Sequence, residues 1–242
     1  MTIINNEKQG EGMSLEVKKS IKQYLPKIIG GTLLFILAIC VLRIAIWEKH
    51  YYAEKEGSER AVAGVVGDVD SSNNVSDEVV TDEQRSEYVV AANKPRYLTI
   101  EKLGVKNARI FEMGVNNKGQ METPNTNYDA GWYKKSSLPG KGGTAIFNGH
   151  NGGPSSYGIF KKLNTLVAGD LIKIEMGDGR VFTYRVYDNF EVKLSEANKK
   201  MSMLSTTPAP GEESISIISC IGEWSLKQKT YLSRQFLRAT KV

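Results

Sequence analysis

The sequence predicts an all-β head domain held behind one membrane-length apolar segment, and three observations lead there. Apolar and polar residues alternate with a period of two in several short runs after residue 93, the pattern of half-buried strands. Gly177-Asp178-Gly179 separates two such runs, a hairpin signature. Residues 28–47, IIGGTLLFILAICVLRIAIW, form a twenty-residue apolar stretch with one charge, Arg43, near its end.

Taken in order, residues 1–27 form a tail in which Lys8, Lys18, Lys19, Lys22 and Lys27 outnumber Glu7, Glu11 and Glu16, which places the N-terminus in the cytoplasm. Residues 28–47 are long enough to cross a bilayer and read as a single-pass transmembrane helix in the cell membrane, with a cleaved signal peptide as the competing reading. Cys40 lies mid-span as a small apolar residue, and His50 falls at the interface. Residues 48–92 hold eleven acidic and four basic side chains, a net charge of −7 without apolar periodicity, and read as an acidic flexible stalk. Residues 93–242 carry a net +9 and are long enough for one domain with a sizeable core. The basic charge suits anionic surface polymers or lipid headgroups, or is simply a solvated face of dispersed lysines, and the extracellular side argues against nucleic acid as a partner.

Within the head, strands are expected at Tyr97–Ile100, Ala108–Met113, Thr144–Asn148, Leu171–Met176, Val181–Phe190, Ser214–Cys220 and Tyr231–Arg238, all rich in β-branched or aromatic residues. Ile159, Phe160, Leu163 and Leu166 fall at helical spacing, so a short helix is expected over 156–166. Residues 194–213, closing with Thr-Pro-Ala-Pro-Gly, read as a loop with room for a turn of helix. Many short strands without alternating helices imply a barrel or a sandwich.

The head contains one cysteine, Cys220, and one histidine, His150. A lone thiol on an oxidising exterior cannot form an internal disulfide, so it is either buried and inert or kept for its reactivity. Both residues stand at strand ends beside glycine: His150 after Thr144-Ala-Ile-Phe-Asn-Gly149 and Cys220 shortly before Gly222. Arg234 lies fourteen positions after Cys220, the span of a turn and a returning strand, which sets a guanidinium beside the thiol. The trio has a chemical logic. A free thiol has a pKa of about 8.5 and only its thiolate attacks, so neighbouring positive charge raises the reactive fraction. Arg234 would hydrogen-bond a developing oxyanion while His150 moves the proton.

Thr144-Ala-Ile-Phe-Asn-Gly-His-Asn151, Phe160-x-x-Leu163, Gly169-Asp-Leu-Ile-Lys-Ile174, Ile217-Ile-Ser-Cys220 and Arg234-Gln-Phe-Leu-Arg-Ala239 together resemble the sortase family, membrane-anchored cysteine transpeptidases of Gram-positive-type surfaces. The resemblance covers about Pro95 to Val242 and implies a closed eight-stranded β-barrel with one or two short helices. It implies catalytic roles for His150, Cys220 and Arg234, with Arg238 a decoy; no acidic cluster matches a calcium loop, and no metal or other cofactor is expected. The implied partners are surface proteins bearing an LPXTG-type C-terminal sorting signal, cut between threonine and glycine, and an amine acceptor such as a peptidoglycan precursor or a pilin lysine. Serine at 219, where many members have threonine, keeps a hydroxyl before the cysteine. Thr123-Pro124, Gly131-Trp-Tyr133 and Pro139-Gly140 resemble members outside the housekeeping class of staphylococci. Without an Asp-Pro pair in the acidic stretch or a second apolar span, wall anchoring is expected rather than pilus building.

Ile218, Ser219 and Trp224 are expected to contact substrate, with the groove formed by the loops 194–213 and 221–230 that flank Cys220. Two rivals stand beside this reading. One is a membrane-tethered β-barrel that binds a surface polymer with Cys220 buried. The other is an L,D-transpeptidase, whose pattern places an arginine almost directly after the cysteine.

Overall fold

The structure is a computed structural model that describes residue 32 and residues 34–49, 75–117, 119–152 and 156–242. The tail 1–27, the first residues of the apolar run, the spacer 50–74 and Gly153–Pro154 of the glycine-rich loop lie outside the described residues. Contacts divide the chain into two units, Met1–His50 and Tyr51–Val242. In the first, residues 34–49 are helical with every side chain exposed. Among the described residues no helix is long and apolar enough to cross a membrane.

The second unit is a closed barrel of eight strands in the order β1-β2-β3-β4-β7-β8-β6-β5. The strands are β1 (Pro95–Ile100), β2 (Val105–Met113), β3 (Ala130–Tyr133), β4 (Gly143–Gly149), β5 (Leu171–Met176), β6 (Val181–Lys193), β7 (Glu213–Ser225) and β8 (Thr230–Lys241). Two pairs, β2 with β3 and β4 with β7, run parallel and the others antiparallel. Closure leaves no edge strand to be covered. The hairpin expected at Gly177-Asp178-Gly179 joins β5 to β6, with Gly179 at φ 83° and the Asp178 carboxylate accepting the Arg180 amide at 3.1 Å.

The period of two explains the core. Ile215, Ile217, Leu237 and Ala239 point into the barrel with Leu98, Phe147, Ile174 and Tyr184, and Phe160, Leu163 and Leu166 join the same cluster. Those last three do not build the expected helix over 156–166. Only a 3-10 turn forms at Leu163–Thr165, and the apolar side chains serve as a stopper on the barrel.

The outer face of β7 and β8 is also buried. Ile218 and Phe236 meet Ile146, Val192 and Met121 under an α-helix, α2 (Leu194–Leu204), which lowers Ala197, Met201 and Leu204 onto them. The expected loop at 194–213 is thus three turns of helix before it becomes a loop. Its buried residues at i, i+4 and i+7 are the narrow stripe of a surface helix, and its N-cap Lys193 makes no side-chain bond.

The acidic segment is not free of the barrel over its described part. A short helix, α1 (Asp82–Ser86), is closed by a capping box between Thr81 and Gln84. Tyr88 Oη donates to the Ile110 carbonyl at 2.5 Å, Val80 is buried, and Ser76 forms a bridge with Thr126. Two aromatic and apolar anchors therefore hold residues that their charge alone would leave in solvent.

Candidate active site

Strand register places the three candidate residues. β4 and β7 are parallel with Asn148 opposite Ile218, so two positions on His150 leaves β4 level with Cys220. β7 and β8 are antiparallel with Cys220 directly opposite Arg234. Neighbouring strands lie about 4.8 Å apart and directly opposed Cβ atoms about 5 Å apart, so the three side chains form one row across three adjacent strands. Register partners share a face. The row therefore continues the outer face that carries Ile218 and Phe236, past the edge of the second apolar cluster rather than inside the barrel.

Cys220 is half-buried and is in no disulfide. Arg234 is 0% exposed, the largest fully buried side chain among the described residues. Its Nη1 donates to the carbonyls of Tyr231 (2.9 Å) and Ser233 (3.0 Å), and its Nη2 donates to Thr230 Oγ1 at 3.2 Å. A guanidinium anchored in this way on its own strand has little freedom to leave the row.

His150 is held from the other side. Its Nε2 lies 2.7 Å from the Pro124 carbonyl oxygen, which can only accept, so Nε2 carries the hydrogen and Nδ1 is the nitrogen that exchanges a proton. Burial lowers the imidazole pKa below its ordinary value, and the Pro124 bond acts in the opposite sense without restoring it. The net shift favours the neutral ring. Asn148, one outward position earlier on β4, donates to the Glu122 carbonyl at 2.7 Å. The segment 122–127 is thus strapped over β4 by two alternate side chains reaching two alternate carbonyls.

Beneath the ring, the chain folds back at once. The Phe160 amide donates to the His150 carbonyl at 3.1 Å and the Gly158 amide to Asn151 at 2.9 Å. A Cβ on Gly158 would stand 2.2 Å from the His150 carbonyl oxygen, so only glycine permits this return.

The other expected residues are not all brought to the surface of the site. Ser219 Oγ donates to the Gly149 carbonyl at 2.9 Å, fastening β7 to β4 just below the row. Ile218 is buried in the cluster beneath it. Trp224 is 42% exposed and stands edge-on to Tyr231 with ring centroids 5.2 Å apart. Arg238 is four register pairs away, opposite Ser216, where it donates to the Thr206 carbonyl at 2.7 Å and lies over the Tyr187 ring.

Three neighbours escaped the sequence reading: Asn148, Asn151 and Tyr231. The Tyr231 phenol is pushed up first by burial and then by the Cys220 charge, with a hydrogen bond from the Asn151 side chain opposing, so it stands close to the thiol and to the residue after His150. The two asparagines had a signal. Asn148 is a polar position on a largely apolar strand and Asn151 a polar residue just beyond the strand's end, on either side of the histidine. Among the described residues no group of three His, Cys, Asp or Glu side chains could hold a metal ion.

The Sortase domain family model matches residues 98–242. No curated protein matches the chain. Among solved structures, a Clostridium perfringens Sortase D5 transpeptidase is 19% identical, with 67% of this chain and 89% of that one covered at a TM-score of 0.44. Sortase C-1 from Actinomyces oris is 17% identical over 80% of this chain and 98% of its own, at a TM-score of 0.47. The SrtA sortase from Actinomyces oris is 20% identical over 63% of this chain and 82% of its own, also at 0.47. With the family model running from within β1 through β8, the chain belongs to the sortase family of transpeptidases.

Proposed function

We propose that the protein is a cysteine transpeptidase in which Cys220 is the nucleophile, His150 the proton carrier and Arg234 the electrostatic partner. The observation that carries this reading is the register row, His150 level with Cys220 and Cys220 opposite Arg234. Its substrate is an LPXTG-type sorting signal of a surface protein, and its acceptor is an amine of a wall precursor or a pilin lysine.

The steps follow from the row. Nδ1 of neutral His150 takes the Cys220 proton, and the thiolate attacks the threonine carbonyl carbon, sending the π electrons to oxygen. Arg234, buried and opposite Cys220 in the ladder, stabilises both the thiolate and the oxyanion. Collapse breaks the C–N bond, and the imidazolium protonates the departing glycine amine, leaving a thioester on Cys220. The acceptor amine then attacks that thioester and gives its proton to His150. The sulfur departs as thiolate and regains a proton in the resting state.

Attachment to the cell membrane through residues 28–47, with the tail 1–27 inside and the barrel outside, completes the proposal. Its support is the apolar run itself and the exposure of the large apolar side chains along the helical residues 34–49. The spacing role assigned to 48–92 falls mainly to residues before 75, since the later ones pack on the barrel.

The full chain in detergent micelles, given a sorting peptide and an amine, should release the segment after threonine and join the remainder to the amine. Hydroxylamine should intercept the thioester. Intact-mass detection of the acyl group on Cys220, absent in Cys220→Ala, supports the assignment. Undiminished turnover in Cys220→Ala overturns it.

A further inference from the structure

His150 is framed by two loops, and both end on one carboxylate. The first is the strap 122–127, whose Pro124 carbonyl holds the imidazole. The second runs from His150 itself and is drawn closed by the Gly152–Tyr157 bridge and by the Gly158 and Phe160 amides, which return to Asn151 and His150. Asn127 is the junction of the two. It is 1% exposed, its carbonyl accepts the Ile159 amide at 2.9 Å, and its Nδ2 donates to Ser156 Oγ at 2.8 Å.

The junction is completed from outside the barrel. Asp77 Oδ1 accepts from Asn127 Nδ2 at 2.5 Å and from Ser156 Oγ at 2.5 Å. The backbone beside it is sewn to the strap as well, with the Ser76 amide donating to Asn125 at 2.7 Å and the Asn127 amide to Ser76 at 3.2 Å. These residues belong to the acidic segment that precedes the family domain, which starts at residue 98. We infer that Asp77 is a positioning residue for His150: its carboxylate ties the strap that holds the imidazole to the loop that the histidine opens.

Resting on the proposed role of His150, this makes the acidic segment a part of the catalytic machinery's support. The physical reason is that neither loop is a strand. A strand residue is placed by its ladder, whereas His150 stands one position beyond β4 and depends on side-chain bonds at its flanks. A charge-assisted bond of this kind is also stronger than a neutral one. Misplacement by about 1 Å at a proton-transfer group costs up to about 100-fold in rate.

The test uses the full chain in detergent micelles with His50→Gln, so that His150 is the one remaining histidine. In Asp77→Ala, kcat for a sorting peptide should fall about 10- to 100-fold with KM little changed. The imidazole resonances, followed by NMR against pH, should titrate closer to the ordinary histidine value, because the loosened ring is less buried. The titratable and charged groups around the ring are Cys220 and Arg234 in its row, Tyr231 through Asn151, and Glu122 on the strap, and none of these is altered. Asp77→Asn, which keeps an acceptor oxygen, should restore most of the rate, and Ser156→Ala should shift the titration in the same direction as Asp77→Ala.

An unchanged titration and kcat in Asp77→Ala would overturn the inference, and so would a gain in turnover, which would mark the segment as an obstruction. The two readings fail separately. A His150→Ala enzyme as active as wild type would remove the catalytic role of the histidine, while the titration would still report whether Asp77 positions it.

Discussion

The two sides of the candidate site are built by different means. On the β7–β8 side, Cys220 and Arg234 face each other as one pair of a long antiparallel ladder, Ser214 with Thr240 through to Ser225 with Thr230, and the backbone bonds along it help to fix them. On the β4 side, His150 has left its strand and is placed by the Pro124 carbonyl, by Asn148 acting on the same strap, and by a chain that turns back beneath it. The lesson concerns robustness. A nucleophile and a cation held by a ladder move only if the sheet moves, whereas an acid–base group held by loops can be displaced by one distant side chain.

The largest effect expected is on the ladder side. Cys220→Ala should abolish transfer altogether in a peptide assay with a free amine. Arg234→Ala should lower kcat/KM by about 100- to 1000-fold, as for loss of an oxyanion-stabilising donor. Because Arg234 is fully buried and bonded to three oxygens, it should also cost about 3 kcal/mol of stability in denaturant titration. Arg234→Ala at wild-type activity would break the ladder half of the comparison.

Gly158→Ala tests the loop side alone. Its Cβ would meet His150 O at 2.2 Å and Asn151 C at 2.8 Å, all backbone, so the loop must shift. Transfer should fall about 100-fold. Alkylation of Cys220 by iodoacetamide at pH 9, where the thiolate forms without help, should stay at the wild-type rate. Loss of both together would show that the two sides are not independent.

A smaller effect concerns acid. The His150 pKa is depressed in the folded state, so between that value and about 6.5 the unfolded chain binds more protons. Stability from this group is complete above about pH 6.5 and is lost as pH falls through the folded value. Chemical denaturation of wild type and His150→Gln across pH 4.5–7.5 should show the steeper acid loss in wild type alone. The smallest effect is Arg238→Ala, which removes a bond to the Thr206 carbonyl and a 3.9 Å pair with Asp188, four register pairs from Cys220. It should cost about 1 kcal/mol and leave kcat within a factor of about three.

Legibility followed the same division. Seven strands announced themselves by alternation or β-branched content, and the fourteen-residue spacing from Cys220 to Arg234 gave their facing positions in the ladder. The strand that escaped is β3, four residues all buried on both faces between β2 and β4, with no alternation to betray it. The helix α2 escaped because three buried residues among eleven leave a faint stripe, and 156–166 misled because helical spacing there served a barrel stopper. Asp77 was unreadable as a contact. Asn127 lies fifty positions away, and its own segment had the composition of a solvated chain.

By itself, the order of amino acids determined an all-β head, a lone thiol on a strand, a lone imidazole just past one, and the arginine that would face the thiol; the end it set for the cysteine strand was wrong, because β7 runs on past Cys220 to Ser225 and pairs with β8 where a loop from 221 was expected. These are matters of period and spacing, and a ladder converts spacing into position. Only the tertiary structure decided that the row lies on the outer face beside a second core, that burial lowers the His150 pKa while the Pro124 carbonyl holds its ring, and that residues 75–92 pack on the barrel. Those depend on bonds between side chains and carbonyls far apart in the chain, which closure of the barrel brings within reach and no local pattern records.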